Sequence, residues 1–342
     1  MSIELTRECP LRCPGCYAYD EAHLGGNGVT LRVLSDYKQD ALVKGVLDLV
    51  DRHRPLHVSL VGGDPMVRYR ELEQILPALD ARGIHVQLVT SAFRAIPQHW
   101  SALSRLNIVV SIDGLQPDHD ARRKPATYER ILQNIQGSRI TIHSTITGQQ
   151  ARQENYFGRF LEFWSKKPEI KRIWMSIFTP QMGATGEEIL TPAERTKVID
   201  ELTFLRVRYP LLDISERVLR EFRHPPQSPE ECIFAQTTRV ISADLKTPVT
   251  PCQFGGNPDC SQCGCMASMG LAAVGHLRLA GGLSLGRIYR SSVRIGHGVG
   301  KLRNIDQEKL RDIDQEKVRN VEREKPESIE KEKNRIIDKE VA

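Results

Sequence analysis

Short apolar runs alternate with longer stretches of helical periodicity over the first 180 residues. The runs SIELT (2–6), HVSLV (57–61), HVQLVTS (85–91), NIVVSID (107–113), RITIHSTIT (139–147) and RIWMSIF (172–178) are mostly rich in β-branched residues. Runs of this length and composition predict buried parallel strands. Between them, YKQDALVKGVLDLVDRH (37–53), YRELEQILPALDARG (69–83) and ATYERILQNIQG (126–137) space their apolar residues as helices do. The second ends on Gly83, a common helix stop. Six such units predict an α/β fold with a parallel sheet and right-handed crossovers. A doubly wound open sheet would show the same alternation. The unusual residues, however, follow the C-terminal ends of several successive strands, which is how a curved, barrel-like sheet assembles a site.

Beyond residue 180 the pattern changes. LTPAERTKVIDELTFLRVRYP (190–210) predicts a helix capped by Thr191 with Pro192 in its first turn. HPPQSPEEC (224–232) is a Pro-rich linker. The expected division is a barrel over 1–223, a small cysteine-rich module over 224–300, and a charged tail over 301–342. The tail repeats every eight residues as LRNIDQEK, LRDIDQEK, VRNVEREK and PESIEKEK (302–333). On a helix such a repeat turns its apolar stripe by about 80° each time, so no continuous core face forms. A solvated helix or a disordered tail is expected there, with no chemistry.

Composition narrows the function classes. The 342 residues carry a formal net charge of +5. The tail holds 12 basic and 12 acidic side chains, so the excess lies in the body. So mild a charge suits an anionic ligand and gives no reason to expect nucleic acid. MSIELTRECP lacks a secretory leader's pattern, and no run of apolar residues is long enough to span a bilayer, so a cytoplasmic protein is expected. Residues 270–296 mix glycine and apolar residues with Arg278, Arg287, Arg290 and Arg294. They are expected to pack on the domain, and they also allow a peripheral membrane contact.

The eight cysteines fall into two groups, Cys9, Cys13 and Cys16, then Cys232, Cys252, Cys260, Cys263 and Cys265. In a leaderless chain of this size such clusters point to metal rather than disulfides. The first group has C-x3-C-x2-C spacing in the loop after the first strand. Its three thiolates can hold three irons of a four-iron cluster and leave the fourth iron open. A zinc knuckle completed by His23 is the alternative. The second group ends in C-x2-C-x-C, which by itself also fits a zinc ribbon.

The first motif resembles the signature of the radical SAM enzymes, which build a partial (β/α)6 TIM-like barrel. Gly15 stands where that family usually has an aromatic residue, and Tyr17 follows Cys16. GGDP (62–65) resembles the family's GGE motif, with Asp64 in place of glutamate. The resemblance implies that Gly62, Gly63, Asp64 and Pro65 receive the amino end of S-adenosylmethionine (SAM) through backbone carbonyls. SIDGLQPDHDARR (111–123) resembles a stretch of the SPASM and twitch subgroups. It implies Ser111 and Asp113 at the ribose or methionyl end of SAM and Arg123 at its carboxylate, a pairing suited to a guanidinium. Thr90, Ser91, Ser144 and Thr145 end strands three and five and are further candidates for the cofactor pocket.

Behind such a core the second group resembles the SPASM/twitch extension, with Val240–Asp244 and Pro251–Cys252 matching its hairpin. Lys246 and Thr247 stand where glycine is common. Five cysteines suffice for one auxiliary [4Fe–4S] cluster with a thiol to spare. The resemblance implies that an electron from a reductant such as flavodoxin or ferredoxin cleaves SAM at the open iron to a 5'-deoxyadenosyl radical, which takes hydrogen from a substrate. Peptide or protein modification is the expected outcome. No peptide-recognition segment precedes the first strand, which weighs against a leader-peptide version. A small-molecule or lipid-like substrate is one alternative, and a non-enzymatic iron–sulfur carrier or scaffold is another.

Overall fold

Each apolar run of the N-terminal half forms a strand in the computed structural model, which describes residues 1–279 except 27, 126 and 127, together with 284–292 and 295. The repeat tail and Arg294 lie outside the described residues. In order come β1 (Ser2–Glu4), α1 (Gln39–His53), β2 (His57–Val61), α2 (Tyr69–Ala81), β3 (His85–Thr90) and β4 (Leu106–Ser111). Next are α3 (Asp118–Arg122), α4 (Tyr128–Asn134), β5 (Ile140–Ile146), α5 (Gly148–Ala151), α6 (Tyr156–Ser165) and β6 (Ile170–Ile177). The chain continues through α7 (Pro192–Arg208), α8 (Glu216–Arg223), α9 (Ile233–Thr237), β7 (Val240–Ile241) and α10 (Met266–Gly275). Met1–Gly286 forms one compact unit and Arg287–Ala342 a second, in which residues 287–292 are helical.

The sheet runs β6-β5-β4-β3-β2-β1-β7 and every neighbouring pair is parallel. The first six strands follow chain order without the reversal that a doubly wound sheet needs. The result is an α/β partial TIM-like barrel, in which the strand ends share one rim.

The outer face packs on the helices. In β5, Ile140, Ile142 and Ile146 are buried in the core, whereas His143 and Thr145 on the opposite face are only half-buried. Helix α6 buries Tyr156, Phe160, Leu161 and Trp164 against that core. Each such large apolar side chain contributes about 1.5–3 kcal/mol when fully buried. Thr191 and Glu194 cap α7 reciprocally, the Thr191 hydroxyl accepting from the Glu194 N–H at 3.2 Å.

Residues 240–249 form the expected hairpin, in which the Val249 N–H donates to the Val240 carbonyl at 3.0 Å. Asp244 accepts from the Lys246 and Thr247 N–H groups, and Leu245 takes the left-handed conformation (φ 55°) where glycine is common. One arm of that hairpin is also β7, which pairs with β1 and extends the sheet. Helix α10 accounts for residues 270–275 of the glycine-rich stretch and buries Met269 and Ala273 against α8 and α9. Arg278, Arg287 and Arg290 are exposed. Among the described residues no helix is long and apolar enough to cross a membrane.

Candidate active site at the barrel rim

The loop after β1 carries Cys9, Cys13 and Cys16, all half-exposed and unbonded to one another. The turn after β2 lies along it. Gly63 N–H donates to the Thr6 carbonyl at 2.8 Å and Asp64 N–H to the Glu8 carbonyl at 2.9 Å. Gly62 has φ 132°, and a Cβ on Gly63 would stand 2.1 Å from the Glu8 carbonyl oxygen. Only glycine permits this approach. Asp64 is buried and accepts from the Thr90 hydroxyl (2.8 Å), the Ser91 hydroxyl (2.6 Å), the Ser91 N–H (2.8 Å) and the Met66 N–H (3.0 Å). Thr90 and Ser91 thus anchor Asp64 with the hydroxyls that the sequence suggested for a pocket. Pro65 opens the following 3-10 turn and is buried.

At the end of β4, Asp113 is fully buried. Its Oδ2 accepts from Arg122 Nη1 (2.5 Å) and Arg123 Nε (2.8 Å), and Oδ1 accepts from the Thr145 N–H (3.0 Å). Burial alone would raise its pKa, but the two guanidinium groups hold the carboxyl far below the usual range. Arg123 is close enough to Cys13 and Cys16 for all three to influence one another electrostatically, and Arg12 N–H donates to the Lys124 carbonyl. The Arg123 segment and the cysteine loop are therefore tied together. Ser111 is buried at the rim. Ser144 is buried on the face of Ile142 and Ile146, toward the helices, so the rim-facing residues of β5 are His143 and Thr145.

All five C-terminal cysteines line one cavity. Gly264, between Cys263 and Cys265, sits on the end of β6, its N–H donating to Thr179 Oγ1 and its carbonyl accepting from Ile177 N–H, both at 2.9 Å. The Met266 N–H donates to Ser176 Oγ (3.1 Å). Cys265 caps α10, and Gln253 Nε2 donates to its sulfur at 3.1 Å. Tyr17, beside Cys16, meets Phe254 edge-on with centroids 5.5 Å apart.

Residues 3–164 match the model of the Radical SAM superfamily. Those residues are a radical SAM domain. The fold of the chain is similar to that of anSMEcpe with bound AdoMet (TM-score 0.54, 17% identity, 74% of each chain). It is also similar to SuiB from Streptococcus suis (TM-score 0.51, 16% identity), covering 70% of this chain and 57% of that one. At these identities the likeness is one of fold. No curated protein matches the sequence.

The family's cofactors are a [4Fe–4S] cluster and SAM, and the residues at the rim of this domain fit them. His23 is no fourth ligand. It is buried, with Nε2 2.8 Å from Glu4 Oε1 and Nδ1 2.9 Å from the Phe254 carbonyl. Three thiols on one loop suit a cluster with one open iron. Among the described residues no three His, Cys, Asp or Glu side chains converge on a single ion. Burial pushes Cys9 and Cys252 up to about 12 and Cys260 up to about 11. These thiols keep their protons until a metal displaces them.

Two groups escaped the sequence reading. Arg122, to which the motif gives no role, shares Asp113 with Arg123 and pairs with Glu188 at 2.7 Å. His143 accepts or donates at Nε2 to Ser176 Oγ at 2.8 Å on the barrel's inner face. The alternation in ITIHSTI carried that signal, since it sets His143 opposite the apolar isoleucines.

Proposed function

We propose that this radical SAM enzyme modifies a peptide or protein by removing a hydrogen atom from it. The observation that carries the reading is the second thiol group, whose five cysteines share one cavity anchored on the end of β6. A cysteine-rich module behind the barrel is the mark of the SPASM/twitch subgroup that the sequence resembles. Support also comes from a structure of similar fold, anSMEcpe with bound AdoMet and Cp18Cys peptide (TM-score 0.54).

In this reading Cys9, Cys13 and Cys16 hold three irons, and four of the five C-terminal cysteines hold an auxiliary cluster. Backbone carbonyls of Gly62–Asp64 take the SAM amino group, with Asp64, Thr90 and Ser91 keeping that turn in place. Arg123 pairs with the SAM carboxylate, and Asp113 positions Arg123. When bound, the cluster and SAM supply an electron from a flavodoxin- or ferredoxin-type donor and a radical able to take hydrogen from an unactivated C–H bond. Water and free thiols would quench that radical, so the reaction needs a substrate that covers the rim.

The test uses anaerobically reconstituted enzyme, SAM, dithionite and synthetic peptides bearing cysteine, serine or aromatic residues. At least one peptide is expected to raise 5'-deoxyadenosine above its basal rate, and deuterium placed in that peptide is expected in the product. Stimulation by small metabolites or lipids, with none by peptides, would overturn the substrate class.

A further inference from the structure

Between β6 and α7, residues 178–191 run along the rim as a strap held at both ends. At the first end Gln181 bridges antiparallel to Pro258, Met182 N–H donates to the Asn257 carbonyl (2.8 Å), and Asn257 N–H donates to Gln181 Oε1 (2.7 Å). The strap is thereby fixed to the cysteine-rich module. At the second end, Gly148 N–H donates to the Glu188 carbonyl (2.9 Å) and Arg152 Nη1 to the Glu187 carbonyl (3.1 Å). A Cβ on Gly148 would stand 2.5 Å from the Glu187 carbonyl and 2.7 Å from that of Ile189, so the strap lies directly on this turn. The middle is different. Residues 183–187 are exposed, Met182 is 58% exposed, and nothing lies within 4 Å of a Cβ built on Gly183 or Gly186.

Glu188 is where the strap meets the site. Its Oε1 accepts from Arg122 Nε at 2.7 Å, and its Oε2 is 3.4 Å from a Cβ built on Gly15, between Cys13 and Cys16. Arg122 also holds Asp113, which in turn holds Arg123. Four charges of alternating sign thus run from the strap to the thiols. Removing the outermost one frees Arg122 to draw the Asp113 carboxylate away from Arg123.

We propose that Glu188 is a positioning residue that couples SAM binding to seating of the strap: through Arg122 and Asp113 it sets Arg123 for the SAM carboxylate, and bound SAM holds the strap down. The coupling is reciprocal by thermodynamic necessity. It rests on the reading of Arg123 as the carboxylate contact.

The test uses the reconstituted full chain without reductant, so that no turnover occurs. Equilibrium dialysis with labelled SAM gives Kd, and brief proteinase K treatment followed by mass spectrometry reads cutting between Met182 and Gly186. In the native chain SAM is expected to slow that cutting. Glu188→Gln is expected to weaken SAM binding about tenfold, abolish the protection and keep its iron. Glu188→Asp, which retains the charge, is expected to fall between the two, and it carries the comparison if Glu188→Gln loses iron. Native SAM affinity in either variant, or protection that survives in Glu188→Gln, overturns the coupling. Arg123→Ala separates the premises: if it too binds SAM normally, the carboxylate reading fails, and if it alone loses SAM, only the coupling fails.

Discussion

Asp113 serves two guanidinium groups at once, and its surroundings make that pairing costly to break. A buried charge left without its partner costs about 3–5 kcal/mol. Asp113→Ala takes from Arg123 its carboxylate partner, while Arg122 keeps Glu188. The variant is expected to weaken SAM binding while keeping its iron, because no cluster thiol is touched; unchanged SAM affinity by dialysis would contradict this. The neighbouring His119 makes a pH prediction. Its Nδ1 accepts the Asp113 N–H at 3.1 Å, and burial, reinforced by Arg123, pushes it down to about 4 from an ordinary 6.5. Between those values the unfolded chain binds a proton that the folded chain refuses, so stability falls as pH drops from 6.5 toward 4. The full loss is roughly 3 kcal/mol. Asp113, held far below its ordinary 3.8, adds acid loss of the same sign at lower pH. Urea midpoints of the iron-free chain are expected to fall across this window, and to fall less in His119→Gln; a flat profile would contradict the assignment. At this scale the sequence was only partly legible. Thiol spacing identified the cysteine loop, but motif positions do not reveal hydrogen-bond partners. The Asp64 bonds to Thr90 and Ser91, and the bonds from Arg122 and Arg123 to Asp113, arise only when separate strand ends meet.

Among the elements, the docking of the cysteine-rich module on β6 decides how the two thiol groups share one molecule. Gly264 packs tightly on that strand, since a Cβ there would stand 2.1 Å from the Ile177 carbonyl oxygen. That oxygen belongs to strand backbone and has little room to move. Gly264→Ala is therefore expected to displace Cys263 and Cys265, lowering bound iron by about half while 5'-deoxyadenosine formation persists. Iron content equal to the native chain would contradict the docking. A second link runs through Glu4, which accepts from Ser242 Oγ at 2.6 Å and pairs with His23, whose Nδ1 meets the Phe254 carbonyl. Burial alone would lower the His23 pKa, but Glu4 raises it. Strand positions were legible because β-branched runs have few alternatives as parallel strands. The pairing of β7 with β1 was not, because two residues carry no periodicity. Tyr17 also turns toward the module instead of supplying the aromatic that precedes the third cysteine elsewhere in the family.

For the whole molecule, the barrel and residues 224–286 of the module belong to one compact unit, Met1–Gly286, so the Pro-rich stretch at 224–232 joins parts that pack together. Composition had marked it as a linker, and local sequence says little about what folds back across it. The consecutive strand order brings both cysteine groups to the rim of one sheet, and this is the arrangement on which the functional account depends. The most direct test is to reconstitute the full chain without oxygen, count iron and sulfide, then add SAM and a strong reductant. The account predicts about eight irons per chain, as two four-iron clusters require, together with 5'-deoxyadenosine that disappears in Cys13→Ala. Clusters that form fully yet release no 5'-deoxyadenosine under any reductant would contradict it and leave an electron carrier or scaffold in its place.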